Sequence, residues 1–403
     1  MRKKHDEDNM LNTTPTKRAP YVLAVIAILI VALNLRPAIT SVGPLLMMIR
    51  DDLHLSHVQI SFMTALPLLS FSLLSLFAPK LSRSFGLERM IFIGLILLIL
   101  GMIVRFMPVN ELLFIGTALV GIGIALCNVL IPGFVKKTFP LRIGLFTSLY
   151  MTSMAVFATI ASGVSVPLAL NVGLGWNLSL FIWVVPAFLA LIFWLPQLQY
   201  KTKNQIKTVP TVTKLWHSKL AWQVTAFMGL QSILFYSLIT WLPELLMLNG
   251  YHSTEAGFFL AWMQIFGIPA TFIVPIIGAR LSDQRKIVLT LGVLYATGFL
   301  GLTFFNSSLF TTGLFIALVG IAQGGAVSLS FLLLSLRTKT AQDAASLSGM
   351  SQAVGYLFAT IGPIGFGLLL QSVQLPELTY MLCLILTIVL LIVGLFASRN
   401  KTV

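Results

Sequence analysis

The side chains able to do chemistry in this chain are few, and they point to binding, not catalysis. Cys127 and Cys383 both sit in apolar runs, while His5, His54, His57, His217 and His252 fall in tails, loops or segment ends without ligand spacing. No nucleophile is spaced with a base and no metal set forms, which argues against an enzyme. Gly121-Ile-Gly123 and Gly324-Gly325 have no preceding strand and no following Lys, so they read as close-packing positions and not as phosphate loops. No cofactor is expected. What remains is Arg36, centred in the apolar stretch AVIAILIVALNLRPAITSVGPLLMMI.

A guanidinium stays protonated at physiological pH. Placing one at a bilayer centre costs from about 2.5 to more than about 10 kcal/mol, depending on the measurement. Something anionic, polar or wet must meet it. Three partners fit: an anionic or electron-rich solute, backbone carbonyls with side-chain amides, or a carboxylate on another helix. Of the acids, only Glu244 falls inside an apolar segment, near its outer end. By the internal repeat described below it corresponds to Leu45, nine residues beyond Arg36, or roughly 13 Å further out at helical rise. Pro37 removes a backbone donor and frees a carbonyl one turn earlier, so the segment should kink or loosen there. Other polar residues at membrane depth are candidates to line a solute path: Asn34, Thr40, Asn128, Gln231, Tyr236, Thr240, Trp262, Gln264 and Gln323. Ser348, Gln352 and Tyr356 recur at i, i+4 and i+8 and share one helix face. The structural reading of each stands beside this one: Ser and Thr pack helices, and Trp and Tyr anchor interfaces.

These residues need elements to hold them, and composition says which. Hydrophobic residues make up 57% of the 403 and charged residues 9%, against about 25% charged in soluble domains. The chain is an integral membrane protein, all α-helical. Twelve apolar segments can be marked, at 21–49, 57–79, 88–107, 111–135, 142–168, 175–196, 219–248, 255–279, 286–305, 309–335, 343–371 and 377–398. Residues 1–20 form a polar tail, and the segment after it is too long for a signal peptide, so it is read as a retained first helix. With the N-terminus in the cytoplasm, inside segments hold 23 of the 26 Lys and Arg, leaving Arg50 and Arg105 outside and Arg36 within a span. That asymmetry puts both termini in the cytoplasm. It also explains the net charge of +14 without a nucleic-acid partner.

The loop 197–218 divides the chain into bundles at 21–196 and 219–398, with a short tail at 399–403. Ala118-Leu-Val-Gly-Ile recurs as Ala317-Leu-Val-Gly-Ile, 199 residues on, and Phe157-Ala-Thr-Ile as Phe358-Ala-Thr-Ile, 201 on. Pro44-Leu-Leu-Met matches Pro243-Glu-Leu-Leu-Met at nearly the same offset. Agreement on one offset, in the same span of each six, describes parallel six-helix repeats with a site between them at mid-membrane, the major facilitator architecture. That superfamily carries a G-x-L-x-D-R-x-G-R-R-type motif after spans 2 and 8. Here the first copy reads Pro79-Lys-Leu-Ser-Arg83-Ser-Phe-Gly86-Leu-Glu88-Arg89 and the second Gly278-Ala-Arg280-Leu-Ser-Asp283-Gln-Arg285-Lys286. Arg83, Arg280 and Asp283 are read as latch residues, although Arg83 stands where Asp is usual. No titratable acid or His lies at membrane depth except Glu244, the one possible coupling group. The fourth span lacks the Arg, and the fifth the G-P-x-x-G-G-like stretch, that are typical of proton-coupled drug exporters.

The run Asn34-Leu-Arg36-Pro37-Ala-Ile-Thr40-Ser41-Val-Gly43-Pro44-Leu-Leu resembles the cyanate and 2-nitroimidazole permease family of that superfamily. The resemblance implies a bacterial inner-membrane permease for a small planar anion or small polar heterocycle, with a substrate-side role for Arg36 and, with it, Asn34 and Thr40. The chain is therefore read as a monomeric secondary transporter in the lipid bilayer, carrying a cyanate-like anion by alternating access. Two alternatives stay open: an exporter of nitroimidazole-like drugs, with Arg36 structural and aromatic walls doing the binding, and a membrane receptor or scaffold that does not transport.

Overall fold

The computed structural model describes residues 15–55, 57–107, 109–199, 215–305, 308–373 and 375–403. The tail as far as residue 14 and positions 200–214 of the central loop lie outside them. Among the described residues, twelve helical stretches are long and apolar enough to cross a membrane. The helices are α1 (Pro15–Asn34), α2 (Pro37–Thr40), α3 (Leu46–Leu53), α4 (His57–Phe85), α5 (Leu87–Phe106), α6 (Asn110–Thr138), α7 (Ile143–Val166), α8 (Gly175–Phe181) and α9 (Val184–Trp194) in the first half. The second half holds α10 (Lys219–Leu248), α11 (Ser253–Arg280), α12 (Arg285–Phe304), α13 (Leu309–Leu336), α14 (Ala341–Val373) and α15 (Pro376–Ala397). Large apolar side chains such as Leu73, Val185 and Ile364 face outward, each more than half exposed, as a surface in contact with lipid tails requires.

Packing repeats between the halves as the sequence does. In the first, α4 and α5 pack on α6, and α1 packs on α7 and α9; in the second, α11 and α12 pack on α13, and α10 on α14 and α15. Between halves, α4 meets α14 and α7 meets α11, the two related pairs.

The first apolar segment is broken, as Pro37 predicts. α1 ends at Asn34, Pro37 opens the four-residue α2, and a 3-10 turn at Gly43–Leu45 precedes α3. The Arg36 carbonyl at the break accepts from the Ile39 and Thr40 amides at 3.0 Å each. Val42 N bonds back to Ile39 O, so the Ala38 carbonyl loses its helical donor. Arg105 supplies one, its Nη1 donating at 2.8 Å. Counted above as an outer charge, Arg105 is in fact 2% exposed in the last turn of α5. A second proline breaks the sixth apolar segment between α8 and α9, and Asn34 Nδ2 donates to the Pro186 carbonyl there at 3.1 Å.

Each half is stapled at the end that carries the Lys- and Arg-rich loops, called here the basic end. In the first, Lys137 pairs with Glu88 at 2.6 Å and Trp194 Nε1 donates to the Glu88 carbonyl. In the second, Arg337 donates to Gln284 Oε1 and to the Ala397 and Ser398 carbonyls. Burial lowers the Arg337 guanidinium to about 10, so it stays charged at physiological pH.

The halves are tied together at the same end. Lys136 donates to the Ser335 and Thr338 carbonyls, Gln342 to Pro79 O and Ser82 Oγ, and Ser148 to Phe272 O. Gly144 and Gly349 let the backbones meet: a Cβ on Gly144 would strike Ala279 and Pro275, and one on Gly349 would strike Ser75 O.

Candidate functional site

Two adjoining cavities lie between the halves, and Arg36 lines both. The larger, about 90 Å3, is walled by α7, α10, α11 and α13 through residues that include Met151, Met154, Thr159, Phe235, Gln264 and Gln323. The smaller, about 20 Å3, adds Gln231, Tyr236 and Tyr356. A water needs about 10–15 Å3 of such space, so the larger holds several waters or one small solute.

The break in the first span is what delivers the cation. Without a continuous helix at residues 35–36, the chain turns Arg36 into the space between halves, half-buried. Its guanidinium carbon lies 5.8 Å from the Phe235 ring centroid, within cation–π range. Tyr236 and Tyr356 lie within electrostatic range of it. Among the described residues the ion pairs are Arg50–Asp51, Lys137–Glu88 and Arg285–Asp283, all at span ends. Arg36 therefore has no carboxylate among the described residues. A guanidinium carries five N–H donors, which is more than enough to meet a small solute.

The other sequence-predicted residues divide by position. Gln264 joins Arg36 in the larger cavity, and Gln231, Tyr236 and Tyr356 in the smaller. Behind the wall, Asn128 Nδ2 donates to the Tyr356 hydroxyl at 3.1 Å, and Gln352 Nε2 donates to Asn128 O and Ser348 Oγ. The face shared by Ser348, Gln352 and Tyr356 thus meets α6 of the other half. Three residues stand apart from both cavities. Asn34 is 1% exposed and holds α9. Thr40 bonds its own turn and the Ala158 carbonyl of α7. Trp262 donates to Gly313 O and packs against Phe258 and Phe266.

Glu244 is exposed and lines neither cavity. Arg83 reaches across to Ser346 Oγ at 3.2 Å. Arg280 is exposed on its own helix end, and Asp283 binds locally to Arg285. Sequence reasoning did not pick out Phe235, Met151, Met154, Thr159 or Arg105. A faint signal existed for one: Thr159 belongs to the repeated Phe-Ala-Thr-Ile.

Arg36 thus lines the cavity between the two halves, and comparison with known proteins identifies the family. The Major Facilitator Superfamily model matches residues 22–360. This chain belongs to the Major Facilitator Superfamily. Among related superfamily members, the uncharacterized transporter YycB of Bacillus subtilis is 44% identical over 94% of each chain. The 2-nitroimidazole transporter of Escherichia coli is 36% identical, covering 95% of this chain and 97% of its own. The E. coli cyanate transport protein CynX is 28% identical over 86% and 89%. The crystal structure of a variant of the E. coli fucose:proton symporter FucP superposes with a TM-score of 0.74 at 14% identity, covering 94% of this chain and 99% of that one; at that identity it speaks to the fold alone. The protein is thus a multi-pass membrane transporter of small solutes and not an enzyme.

Proposed function

We infer that this transporter carries a small planar anion by alternating access, with Arg36 as the contact for its charge. One observation carries the reading: a guanidinium lines the cavity between the halves and no described carboxylate neutralises it. An incoming anion removes the cost of that isolated charge, and the desolvated wall strengthens the contact. The likeness to the cyanate transport protein CynX supports a cyanate-like solute. Asn128, Gln231, Tyr236, Gln264, Gln352 and Tyr356 supply or back the polar part of the wall; Asn34, Thr40 and Trp262 hold the helices that form it. Arg83 serves as a latch at the basic end.

A second reading has its own support. Met151, Met154, Met263 and Phe235 make much of the wall apolar, which suits a neutral nitro-substituted ring, and a 36% identical relative is named a 2-nitroimidazole transporter. Proteoliposomes holding the purified protein separate the two. Saturable uptake of labelled cyanate, competed by other small anions but not by 2-nitroimidazole, is expected; transport of 2-nitroimidazole alone would select the second reading.

The basic end is assigned to the cytoplasm of a bacterial inner membrane, with both termini there and the monomer as the working unit. The supporting fact for the orientation is the concentration of Lys and Arg at that end. A C-terminal green fluorescent protein fusion that fluoresces, paired with an inactive alkaline phosphatase fusion, tests it.

A further inference from the structure

Gln323 is 4% exposed, and neither its Oε1 nor its Nε2 has a hydrogen-bond partner. Gln231 and Gln352 are different, since each engages its Nε2 with a neighbouring hydroxyl. A doubly orphaned buried amide is a standing penalty that native folds rarely keep without a use.

Its position gives the use. Gln323 lies in the wall of the larger cavity, on α13, in the half opposite to Arg36. Backbone packing fixes it there. A Cβ on Gly320 would strike the Met263 carbonyl and one on Gly324 the Gly267 carbonyl, so the α13 backbone sits directly against α11 and holds Gln323 in the cavity wall.

We propose that Gln323 is a specificity-determining residue that binds the far, hydrogen-bonding end of the solute whose anionic end Arg36 holds. This rests on Arg36 being the anion contact. A carboxamide offers one kind of donor and one acceptor together. It therefore matches a hydroxyl or a ring N–H, and leaves a bare C–H edge or a second negative charge poorly served. The solute class that follows is a planar monoanion bearing such a group remote from its charge.

The test uses uptake into proteoliposomes by the full-length protein, with benzoate, 4-hydroxybenzoate and cyanate as probes. The first two differ by one hydroxyl opposite the carboxylate. The native protein should prefer 4-hydroxybenzoate in KM by about tenfold, the worth of one hydrogen bond to a site that cannot otherwise be satisfied. Gln323→Met should bring that ratio near one while holding or raising the melting temperature, because it removes the orphaned atoms. Gln323→Asn, which keeps the amide but withdraws it, should lower the ratio several-fold and covers the case in which the Met variant does not fold. Arg36→Lys should raise KM for both benzoates and keep their ratio. A native ratio near one, or a ratio unchanged in both Gln323 variants, overturns the proposal. Arg36-dependent cyanate uptake without 4-hydroxybenzoate uptake sinks Gln323 and spares Arg36. Uptake of all three probes indifferent to Arg36→Lys sinks both.

Discussion

Arg36 is the residue on which the chemistry turns, and its geometry sets the expected cost of changing it. A planar fork over Phe235 presents several fixed donors, whereas an ammonium is a point charge on a flexible stem. Losing one charge-assisted contact costs about 1.5–3 kcal/mol. Arg36→Lys should therefore weaken anion binding by about ten- to a hundredfold, read as KM in counterflow; near-native KM would remove the anion model. Arg36 was legible in the sequence because a lone cation in an apolar run violates expectation, and Pro37 beside it did so again. Phe235, Met151 and Met154 were not, since an apolar lining residue in so apolar a chain carries no contrast with its neighbours. Arg105 was misjudged for a different reason. A cation in the last turn of a span normally extends to the water, and nothing in the sequence says that a broken helix has left the Ala38 carbonyl waiting for it.

That contact makes a prediction about an element, the α1–α2 break. Arg105→Met orphans the Ala38 carbonyl, which destabilises, and removes a buried charge with an unpartnered Nη2, which stabilises. The two oppose each other, so the expected signature is a KM about tenfold higher with a melting temperature within a few degrees of native. A large melting shift with KM unchanged would make Arg105 a fold residue only. Helix positions were otherwise well marked: 219–248 in the sequence reading is the extent of α10 itself. The segments 21–49, 142–168 and 175–196 came out in pieces, a π turn at Pro167–Asn171 among them. In each a proline sits at the break, and hydropathy alone does not report the loss of a backbone donor.

The close approach of α7 to α11 at Gly144 belongs to the same scale. A side chain there overpacks the sealed basic end, at about 1–3 kcal/mol. The halves should shift toward the arrangement in which that end is open. A cysteine pair at Ser82 and Gln342, whose side chains meet at 3.2 Å, reports the sealed state by cross-linking with a short bifunctional thiol reagent. Adding Gly144→Val should slow cross-linking of that pair about tenfold; an unchanged rate would mean that the α7–α11 contact does not govern closure.

Taken whole, the described part of the molecule keeps its carboxylates and histidines away from the two cavities. Among the described residues lining the two cavities there is no carboxylate and no imidazole; the ionisable side chains there are Arg36, Tyr236 and Tyr356. The acids among the described residues lie at span ends, and Glu244 is exposed. A proton-coupled carrier needs a group that gains and loses its proton within the working range and feels the solute when it does so. If Arg36 is the anion contact proposed above, its permanent charge is cancelled by the cargo, and the empty and loaded carriers differ by the charge of the anion itself. Uptake should then follow membrane potential and anion gradient and not the proton gradient. With cyanate in proteoliposomes at equal pH on both sides, the rate should be flat between about pH 6 and 8, and Glu244→Gln should stay within about twofold of native. An imposed inside-negative potential should slow net entry. A rate that climbs steeply toward acid pH, and loses that slope in Glu244→Gln, would move the coupling from the solute to that carboxylate and require α10 to carry it into the path during the cycle.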